Sequence, residues 1–373
     1  MGPKPCGVLV ILDIVSPAED RACPGVAQTG RVVTVQFTQL VDAYGRVASD
    51  LRVSLTDRCN LRCTYCMPAD GLKWLATEET LTDAEVLRVV RIAVESLGVT
   101  RIRFTGGEPL LRPGLEGIVA GAATLQGRHG RPELALTTNA LGLDKRIDAL
   151  AAAGLDRVNI SLDSLDPVRY ARLARRDRLA DVLKSIRAVE AAGLRPIKVN
   201  SVIMRGQNEC DVVALAQFCL ERGYELRFIE QMPLGPKGEW DRSLMVTATE
   251  ILDQLRGRYR LSALEEPRGA APAELWAVAP DENQPGGRVG VIASVTNPFC
   301  GACDRTRITS DGQVRTCLFS QRETDLRTVL RSGGSDDDLV AAWVGAHRGK
   351  AKAHGIDEAG FVQPTRTMSA IGG

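Results

Sequence analysis

The sequence lacks an excess of charge of either sign: its 373 residues carry 47 Lys and Arg against 46 Asp and Glu, a formal net charge of +1. This balance argues against a nucleic-acid coat or a polybasic membrane anchor, so any anion site must be local.

Long hydrophobic runs are also missing. The apolar stretch 6–12 ends at Asp13, far short of the ~20 residues of a membrane span, and it makes a poor signal peptide. We expect a cytoplasmic protein without a membrane or nucleic-acid partner.

The ten cysteines are too sparse in a chain of this length for a small secreted disulfide scaffold. Six of them nevertheless form two tight groups of three: Cys59, Cys63 and Cys66, and then Cys300, Cys303 and Cys317. Clustered cysteines in a long chain more often bind metal than form disulfides. The remaining four cysteines are interpreted as incidental.

Short β-branched segments alternate with helical patterns in the first two thirds of the chain. The strand-like segments are Leu51–Thr56, Arg101–Thr105, Leu134–Thr138, Arg157–Leu162, Ile197–Ile203 and Glu225–Glu230. The helical patterns are Thr82–Leu97, Leu143–Ala153, Leu179–Ala192 and Asp211–Arg222, each followed by a glycine. Thr82 precedes Glu85 by three residues, which is a capping-box signature. This alternation predicts an α/β fold with a mostly parallel sheet.

Two architectures compete for this pattern, a doubly wound open sheet and a (βα) barrel. A dinucleotide-binding open sheet would need G-x-G-x-x-G after the first strand, whereas this strand runs into Asp57-Arg58-Cys59. We therefore predict a partial (βα)6 TIM-like barrel, with the functional residues at the carboxyl ends of its strands.

The pattern changes beyond about residue 235, where Gly, Pro and polar clusters dominate 264–288. We predict a leader at 1–38, a barrel core at 39–235 and a C-terminal region at 236–373 that carries the second cysteine group.

The first cysteine group has the spacing C-x3-C-x2-C over residues 59–66. This spacing does not fit a disulfide pair, and structural zinc requires four ligands. Three thiolates can instead hold three irons of a 4Fe–4S cluster and leave the fourth iron open to chelate a ligand.

A C-x3-C-x2-C loop at the end of the first strand of a (βα) pattern resembles the radical S-adenosylmethionine (radical SAM) superfamily. The segment Thr105-Gly106-Gly107-Glu108-Pro109 after the second strand strengthens the resemblance. In that superfamily the open iron binds S-adenosylmethionine. Carried over by position, the resemblance implies S-adenosylmethionine contacts at Tyr65, Gly107, Ser161 and Met232.

The second cysteine group has the spacing C-x2-C-x13-C over residues 300–317 and lacks an obvious fourth ligand for zinc. A second three-cysteine 4Fe–4S cluster fits better. Arg305 and Arg307 come shortly after Cys303. In an extended segment both side chains point the same way, so they can bind one polyanion together. Arg52, Arg103 and Lys198 stand in otherwise apolar strands, where cations are costly unless paired or functional. Together these cations predict an anionic substrate such as a triphosphate.

This combination resembles the GTP 3',8-cyclases, which catalyse the first step of molybdenum cofactor biosynthesis, over about residues 40–373. The resemblance rests on segments 50–59, 104–110, 136–139, 198–200 and 300–305 and on the final Ile371-Gly372-Gly373. It implies a radical SAM lyase with two 4Fe–4S clusters that converts GTP to (8S)-3',8-cyclo-7,8-dihydroguanosine 5'-triphosphate. The implied GTP contacts are Arg52, Arg103, Thr137, Lys198, Arg305, Thr306 and Arg307. The Gly372-Gly373 tail is expected to reach the active site and help to position the reactants.

The resemblance also implies an electron donor such as flavodoxin or ferredoxin, and the chain would act as a monomer or homodimer. The sequence departs from the family at Ala140, where glycine is usual; if this position has positive φ, alanine is strained by roughly 1 kcal/mol.

Three alternatives remain open at this point. They are another radical SAM enzyme with an auxiliary cluster acting on a peptide or nucleotide, a zinc-binding nucleic-acid module, and an inactive paralogue that serves as a scaffold. The three-cysteine groups and the balanced charge speak against the zinc module.

Overall fold

The computed structural model describes residues 38–372, and these residues build one twelve-stranded sheet. Gly373 and nearly all of the predicted leader 1–38, with Cys6 and Cys23, lie outside the described residues. The strands are β1 (Asp50–Ser54), β2 (Arg101–Thr105), β3 (Glu133–Thr138), β4 (Arg157–Ser161), β5 (Lys198–Ile203), β6 (Glu225–Glu230), β7 (Leu261–Ala263), β8 (Glu274–Val278), β9 (Gly287–Ile292), β10 (Arg305–Ile308), β11 (Gln313–Arg315) and β12 (Thr324–Asp325).

Strands β1 to β6 are all parallel and lie side by side in the order of the sequence. A doubly wound sheet would reverse this order at a switch point, whereas unbroken order is the winding of a (βα) barrel. The predicted α/β partial barrel is therefore confirmed, and all six predicted strands are present.

The C-terminal region contributes strands to both edges of the sheet, which the sequence pattern did not predict. Strand β10 pairs in parallel with β1, and β9 pairs in parallel with β6. The antiparallel strands β11 and β12 continue one edge, and β8 and β7 continue the other. The reason is that a six-stranded partial barrel leaves two unpaired edges, and strands from residues 261–325 complete their hydrogen bonds.

Helices cover the outer face of the sheet. They are α1 (Asp83–Glu95), α2 (Leu115–Ala123), α3 (Ile147–Ala152), α4 (Pro167–Ala174), α5 (Leu179–Ala191), α6 (Val212–Glu221), α7 (Ala248–Arg256), α8 (Leu326–Arg331) and α9 (Asp336–Arg348). The short helix α10 (Met368–Ile371) lies instead on the inner side of the sheet. Helix α1 begins at the predicted capping box, in which Thr82 Oγ1 accepts from Glu85 N. Its buried stripe of Val86, Val89, Val90 and Ala93 packs in the core. No helix in the described part of the chain is both long and apolar enough to cross a membrane.

Side chains alternate between the two faces of each strand, and this alternation sorts polar from apolar groups. In β1, Leu51 and Val53 are buried in the hydrophobic core, whereas Arg52 points to the other face. The register places Arg52 beside Arg103 of β2 and Arg307 of β10. The concave face therefore carries a row of cations.

Candidate active site

A single cavity of about 300 Å³ is lined by both cysteine groups and by residues from strands β1 to β6, β9 and β10. Side chains from the two ends of this row of strands meet in one cavity, so the sheet is strongly curved, as an open barrel requires. All six clustered cysteines line it: Cys59, Cys63, Cys66, Cys300, Cys303 and Cys317. Sequence groups more than 200 residues apart thus share one site.

The first cysteine loop points its sulfur atoms at nearby N–H donors. Cys59 Sγ accepts a hydrogen bond from Leu61 N (3.4 Å) and lies 3.8 Å from Asn139 Nδ2. The backbone N–H of Ser369, in α10, donates to Cys66. Burial raises the pKa of Cys59 to about 11 and that of Cys66 to about 12. Such buried thiols become thiolates only when a cation binds them, which suits a metal cluster.

The donor set fits iron–sulfur clusters better than single metal ions. Within residues 38–372, no three His, Cys, Asp or Glu side chains converge closely enough to hold one ion. In a 4Fe–4S cluster each thiolate binds a different iron, so its ligands stay apart across the cube. N–H groups directed at the cysteine sulfurs are the surroundings that tune such clusters.

The second cysteine group lies beside two cations. Lys350 Nζ is 3.5 Å from Cys303 Sγ, and Arg305 Nη1 is 3.8 Å from the same sulfur. Burial alone would raise the pKa of the Cys303 thiol, but the charges of Lys350 and Arg305 outweigh it and lower that pKa. Burial raises the pKa of Cys300, to which the backbone of His354 donates.

The Gly106-Gly107 segment lies directly against the first cysteine loop. Gly107 N donates to Thr56 O (2.7 Å), and Glu108 N donates to Arg58 O (2.8 Å). A Cβ atom on Gly107 would collide with the backbone oxygens of the loop, so only glycine fits here. The glycines therefore allow close backbone packing against the residues that precede Cys59.

Glu108 holds the next loop in place. Its buried carboxyl accepts from Thr138 Oγ1 (2.7 Å) and from Asn139 N (2.8 Å). Burial raises the pKa of Glu108 to about 7. Asn139 in turn donates to Asn60 Oδ1 (2.7 Å), inside the cysteine loop. Ala140 follows at φ 66°, which confirms the positive φ considered for this position.

The residues expected to contact S-adenosylmethionine all line the cavity: Tyr65, Gly107, Ser161 and Met232. The Tyr65 hydroxyl donates to Asp163 Oδ2 (2.8 Å), which fixes the ring inside the cysteine loop. Asp163 also accepts from Val202 N (2.9 Å), and its burial raises its pKa to about 6.

The cavity wall carries five arginines: Arg52, Arg103, Arg227, Arg305 and Arg307. Burial lowers the pKa of Arg227 to about 9 and that of Arg307 to about 10. The nearest carboxylate to Arg103 is Asp50, at 3.5 Å. The buried Nε atoms of Arg52, Arg103, Arg227 and Arg305 have no hydrogen-bond partner in the structure. Unpaired buried cationic donors are costly, and an anion bound at this wall would accept hydrogen bonds from them.

Two of the residues expected to contact GTP lie elsewhere. Thr306 is fully buried on the opposite face of β10, where its Oγ1 accepts from Trp343 Nε1 of α9 (2.9 Å). Alternation along the strand turns the Thr306 side chain away from its two arginine neighbours, and the expected GTP contact at this position stays a prediction. Lys198 Nζ is ion-paired with Glu225 Oε1 (2.8 Å). Lys198 precedes Asn200 by two residues on the same face of β5, and of these two residues Asn200 lines the cavity. Thr137, like the predicted arginines, lies in the cavity wall.

Gly372, the last described residue, contacts the cavity wall from the far end of the sequence. Gly372 is buried, and its carbonyl oxygen accepts from Arg307 Nη1 (2.9 Å). Gly372 has φ 84°, and a Cβ atom there would lie 2.8 Å from Ser54 Cβ. Gly372 therefore contacts one of the cavity arginines, the role expected of the tail stays a prediction, and Gly373 lies outside the described residues.

Among the residues that sequence reasoning did not assign to the site are Arg227, Asp163 and Lys350. Arg227 had the same signal as Arg52, a cation within an apolar strand. Asp163 follows β4 and could have been found by the strand-end rule. Lys350 had no signal, because only the folded chain brings it to Cys303.

Two family models match the chain in succession. Residues 53–219 match the radical SAM superfamily, and residues 224–356 match the family described as Molybdenum Cofactor Synthesis C.

Curated relatives cover most of the chain. A GTP 3',8-cyclase of Corynebacterium glutamicum is 62% identical over 337 residues, 90% of this chain and 89% of the relative. A GTP 3',8-cyclase of Streptomyces coelicolor is 58% identical over 335 residues, 90% of this chain and 96% of the relative. GTP 3',8-cyclase 2 of Mycobacterium tuberculosis is 57% identical over 334 residues, 90% of this chain and 92% of the relative.

Solved structures share the fold at low identity. SuiB of Streptococcus suis bound to S-adenosylmethionine aligns with a TM-score of 0.53 and 15% identity, covering 88% of this chain and 76% of SuiB. The structure of anSMEcpe with bound AdoMet gives a TM-score of 0.53 at 15% identity, with 82% of each chain covered.

Proposed function

Since the chain belongs to the GTP 3',8-cyclase family of radical SAM enzymes, we propose that its two cysteine groups each bind a 4Fe–4S cluster in the shared cavity. Cys59, Cys63 and Cys66 would hold the cluster that binds S-adenosylmethionine, and Cys300, Cys303 and Cys317 would hold the second. The single observation that carries this assignment is that all six cysteines line one cavity with an arginine wall.

The chain is a radical SAM lyase that cyclises GTP to (8S)-3',8-cyclo-7,8-dihydroguanosine 5'-triphosphate, the first step of molybdenum cofactor biosynthesis. When bound, the first cluster supplies the electron that cleaves S-adenosylmethionine and starts radical chemistry on GTP. The chain itself must hold both substrates in register and exclude water, because a free radical reacts with whatever lies nearest.

On the S-adenosylmethionine side, we propose contacts at Tyr65, Gly107, Ser161 and Met232. The hydrogen bond to Asp163 holds the Tyr65 ring in place, so the ring can contact a ligand without rearrangement. Gly107 has no side chain, and a Cβ atom at this position would collide with the backbone oxygens of Asp57 and Arg58. Glu108 and Asn139 support this loop from behind.

On the GTP side, we propose that the triphosphate binds the guanidinium groups of the five cavity arginines, four of which have a buried Nε without a hydrogen-bond partner among the described residues, with Thr137 beside them. Guanidinium forks suit phosphate oxygens, and burial strengthens each contact. Lys198 would add its charge from the floor of the barrel, although Glu225 already pairs with it.

The chain terminus completes the cavity wall in this proposal. Ser369 in helix α10 donates to Cys66 of the first cysteine group. Gly372, directly after the helix, accepts from Arg307, which follows Cys303 of the second group by four residues. The tail would thereby fix the distance between the GTP wall and the first cluster.

We further propose that an acidic electron-transfer protein, such as flavodoxin or ferredoxin, docks beside the first cysteine loop. Arg62 N and Thr64 N donate to the carbonyl oxygens of Ala174 and Leu173, which joins the loop to the end of helix α4. The exposed arginines of this neighbourhood are Arg58, Arg172, Arg176 and Arg178, of which Arg178 pairs with Asp181 and stands next to the exposed Asp177. A positive surface steers an acidic partner to the cluster.

Three further assignments are proposals as well. The reduced thiols and the low-potential electron donor suit a cytoplasmic location. Residues 39–235 would form the radical SAM core, and residues 236–373 would carry the second cluster. The chain would act as a monomer or a homodimer.

The proposal is tested by anaerobic reconstitution with iron and sulfide, followed by incubation with GTP, S-adenosylmethionine and a reductant. We expect about eight irons per chain, from two 4Fe–4S clusters, and formation of 5'-deoxyadenosine that depends on GTP. Substitution of all three cysteines of the second group by alanine should halve the iron content. One zinc per chain without iron would overturn the assignment.

The docking proposal has its own test. Arg176→Glu should slow the reaction driven by reduced flavodoxin and leave the reaction driven by dithionite unchanged. A comparable loss with both reductants would contradict the docking role of this surface. Arg256→Glu, at the exposed end of helix α7, is the control.

A further inference from the structure

Lys350 is buried beside the second cysteine group, two residues beyond the end of helix α9. Only 5% of the residue is exposed. Its Nζ lies 3.1 Å from the Arg305 carbonyl oxygen, 3.3 Å from the Cys303 carbonyl oxygen and 3.5 Å from Cys303 Sγ. The ammonium group therefore directs its three protons at one short segment of chain.

No carboxylate within residues 38–372 forms an ion pair with Lys350. A buried cation without a negative partner is costly, and carbonyl oxygens compensate only part of that cost. The ionisable acidic group in contact with Lys350 Nζ is the Cys303 thiol. A thiolate-bound cluster at this position would supply the missing charge.

The segment around Lys350 is itself held rigidly. Arg46, whose own charge is paired with Asp42, donates to the carbonyl oxygens of Cys300 (2.6 Å), Ala351 (2.7 Å) and Lys352 (2.8 Å). One guanidinium group thus joins the second cysteine loop to the residues that follow Lys350. The backbone on both sides of the contact between Lys350 and Cys303 is therefore held in place by Arg46.

We propose that Lys350 is a positioning residue of the second cluster, whose ammonium group hydrogen-bonds the Cys303 thiolate and raises the reduction potential of that cluster. The inference rests on the proposed function, because it requires that Cys300, Cys303 and Cys317 bind a cluster. A reduced cluster is one charge more negative than the oxidised cluster. A fixed positive charge against one of its ligands therefore favours the reduced form, and net charge and hydrogen bonds to sulfur are the levers that set such potentials.

The experiment uses the full chain with the first cysteine group replaced by alanine, so that only the second cluster contributes to the spectrum. Lys350→Met removes the charge at similar length, and Lys350→Arg keeps it. Lys352→Met, an exposed lysine two residues away, is the matched control. Each protein is reconstituted anaerobically, its iron is counted, and its midpoint potential is measured by redox titration with electron paramagnetic resonance.

We expect about four irons per chain in all four proteins, with a more negative midpoint potential in Lys350→Met alone. Lys350→Arg should stay near the parent value, because the charge remains. If Lys350→Met loses iron, Lys350→Gln, which keeps a donor without the charge, is titrated instead and should show the same negative shift.

An unchanged potential in the charge-free variant would overturn this inference while leaving the second cluster in place. Lys350 would then only cap two carbonyl oxygens. Absence of iron from the parent protein would overturn the proposed second cluster first, and this inference with it, so the two failures are distinguishable.

Discussion

The carbonyl oxygen of Gly372 accepts a 2.9 Å hydrogen bond from Arg307 Nη1 inside the cavity. Arg307 belongs to β10, which pairs with β1, so the chain terminus is anchored to the strand beside the first cysteine loop. Gly372 has φ 84° and lies against Ser54, which leaves no room for a side chain. A residue near the end of the chain is therefore as tightly constrained as one in the barrel.

Gly372→Ala should lower kcat for GTP cyclisation about 10- to 100-fold, because a displaced tail shifts Arg307 and with it the substrate. The iron content should stay unchanged, since no cysteine is altered. Gly360→Ala has a comparable positive φ (97°) but open surroundings outside the cavity, and it is the control. Equal losses of kcat in the two variants would indicate general backbone strain instead of a role of the tail.

Thr306→Val should destabilise the fold by about 1–3 kcal/mol, because the buried Trp343 Nε1 loses its acceptor. Its KM for GTP should stay unchanged, since the side chain faces helix α9. Arg307→Met should show the reverse, a higher KM with little change in the free energy of unfolding. Urea denaturation and steady-state kinetics of the two variants check this. A raised KM for GTP in Thr306→Val would show that the Thr306 side chain contributes to GTP binding.

Ala140→Gly should stabilise the protein by about 1 kcal/mol, because alanine at φ 66° is strained and glycine is not. Ala152→Gly, in the right-handed helix α3 and exposed, should instead destabilise it by about 1 kcal/mol. Thermal denaturation of the two variants gives the comparison. A loss of stability in both would show that the methyl group of Ala140 contributes more by packing than it costs in strain.

Glu85→Gln should reduce stability at neutral pH by about 1 kcal/mol, because Glu85 closes the capping box of α1 and accepts from Arg331 Nε (2.8 Å). The hydrogen bond from Arg331 lowers the pKa of Glu85 from 4.5 to about 2. The stabilisation is therefore fully present above pH 4.5 and is lost as the pH falls towards 2. Urea denaturation of the apoprotein between pH 7 and about pH 2 checks this. The wild type and the variant should converge in acid, and a constant difference between them would contradict the assignment.

Local patterns in the sequence predicted much of this fold. The six β-branched segments became the central parallel strands, and Thr82 begins helix α1 as its capping box required. The glycines at 98, 154, 193 and 223 all have the positive φ of a helix terminus. These features depend on neighbours a few residues apart, so local sequence is sufficient to specify them. The pairing of β9 and β10 with the two edges of the barrel had no such signal.

The sequence by itself determined the chemistry of the site. The cysteine spacings, the Gly-Gly-Glu-Pro segment and the cations in apolar strands identified the elements that line the cavity. Only the tertiary structure decided which face of a strand each residue uses and what lies opposite. It turned Thr306 towards Trp343, paired Lys198 with Glu225, and brought Lys350 to Cys303. The physical reason is that strand register and sheet curvature are set by packing over the whole domain, and a side chain changes faces with every residue along a strand.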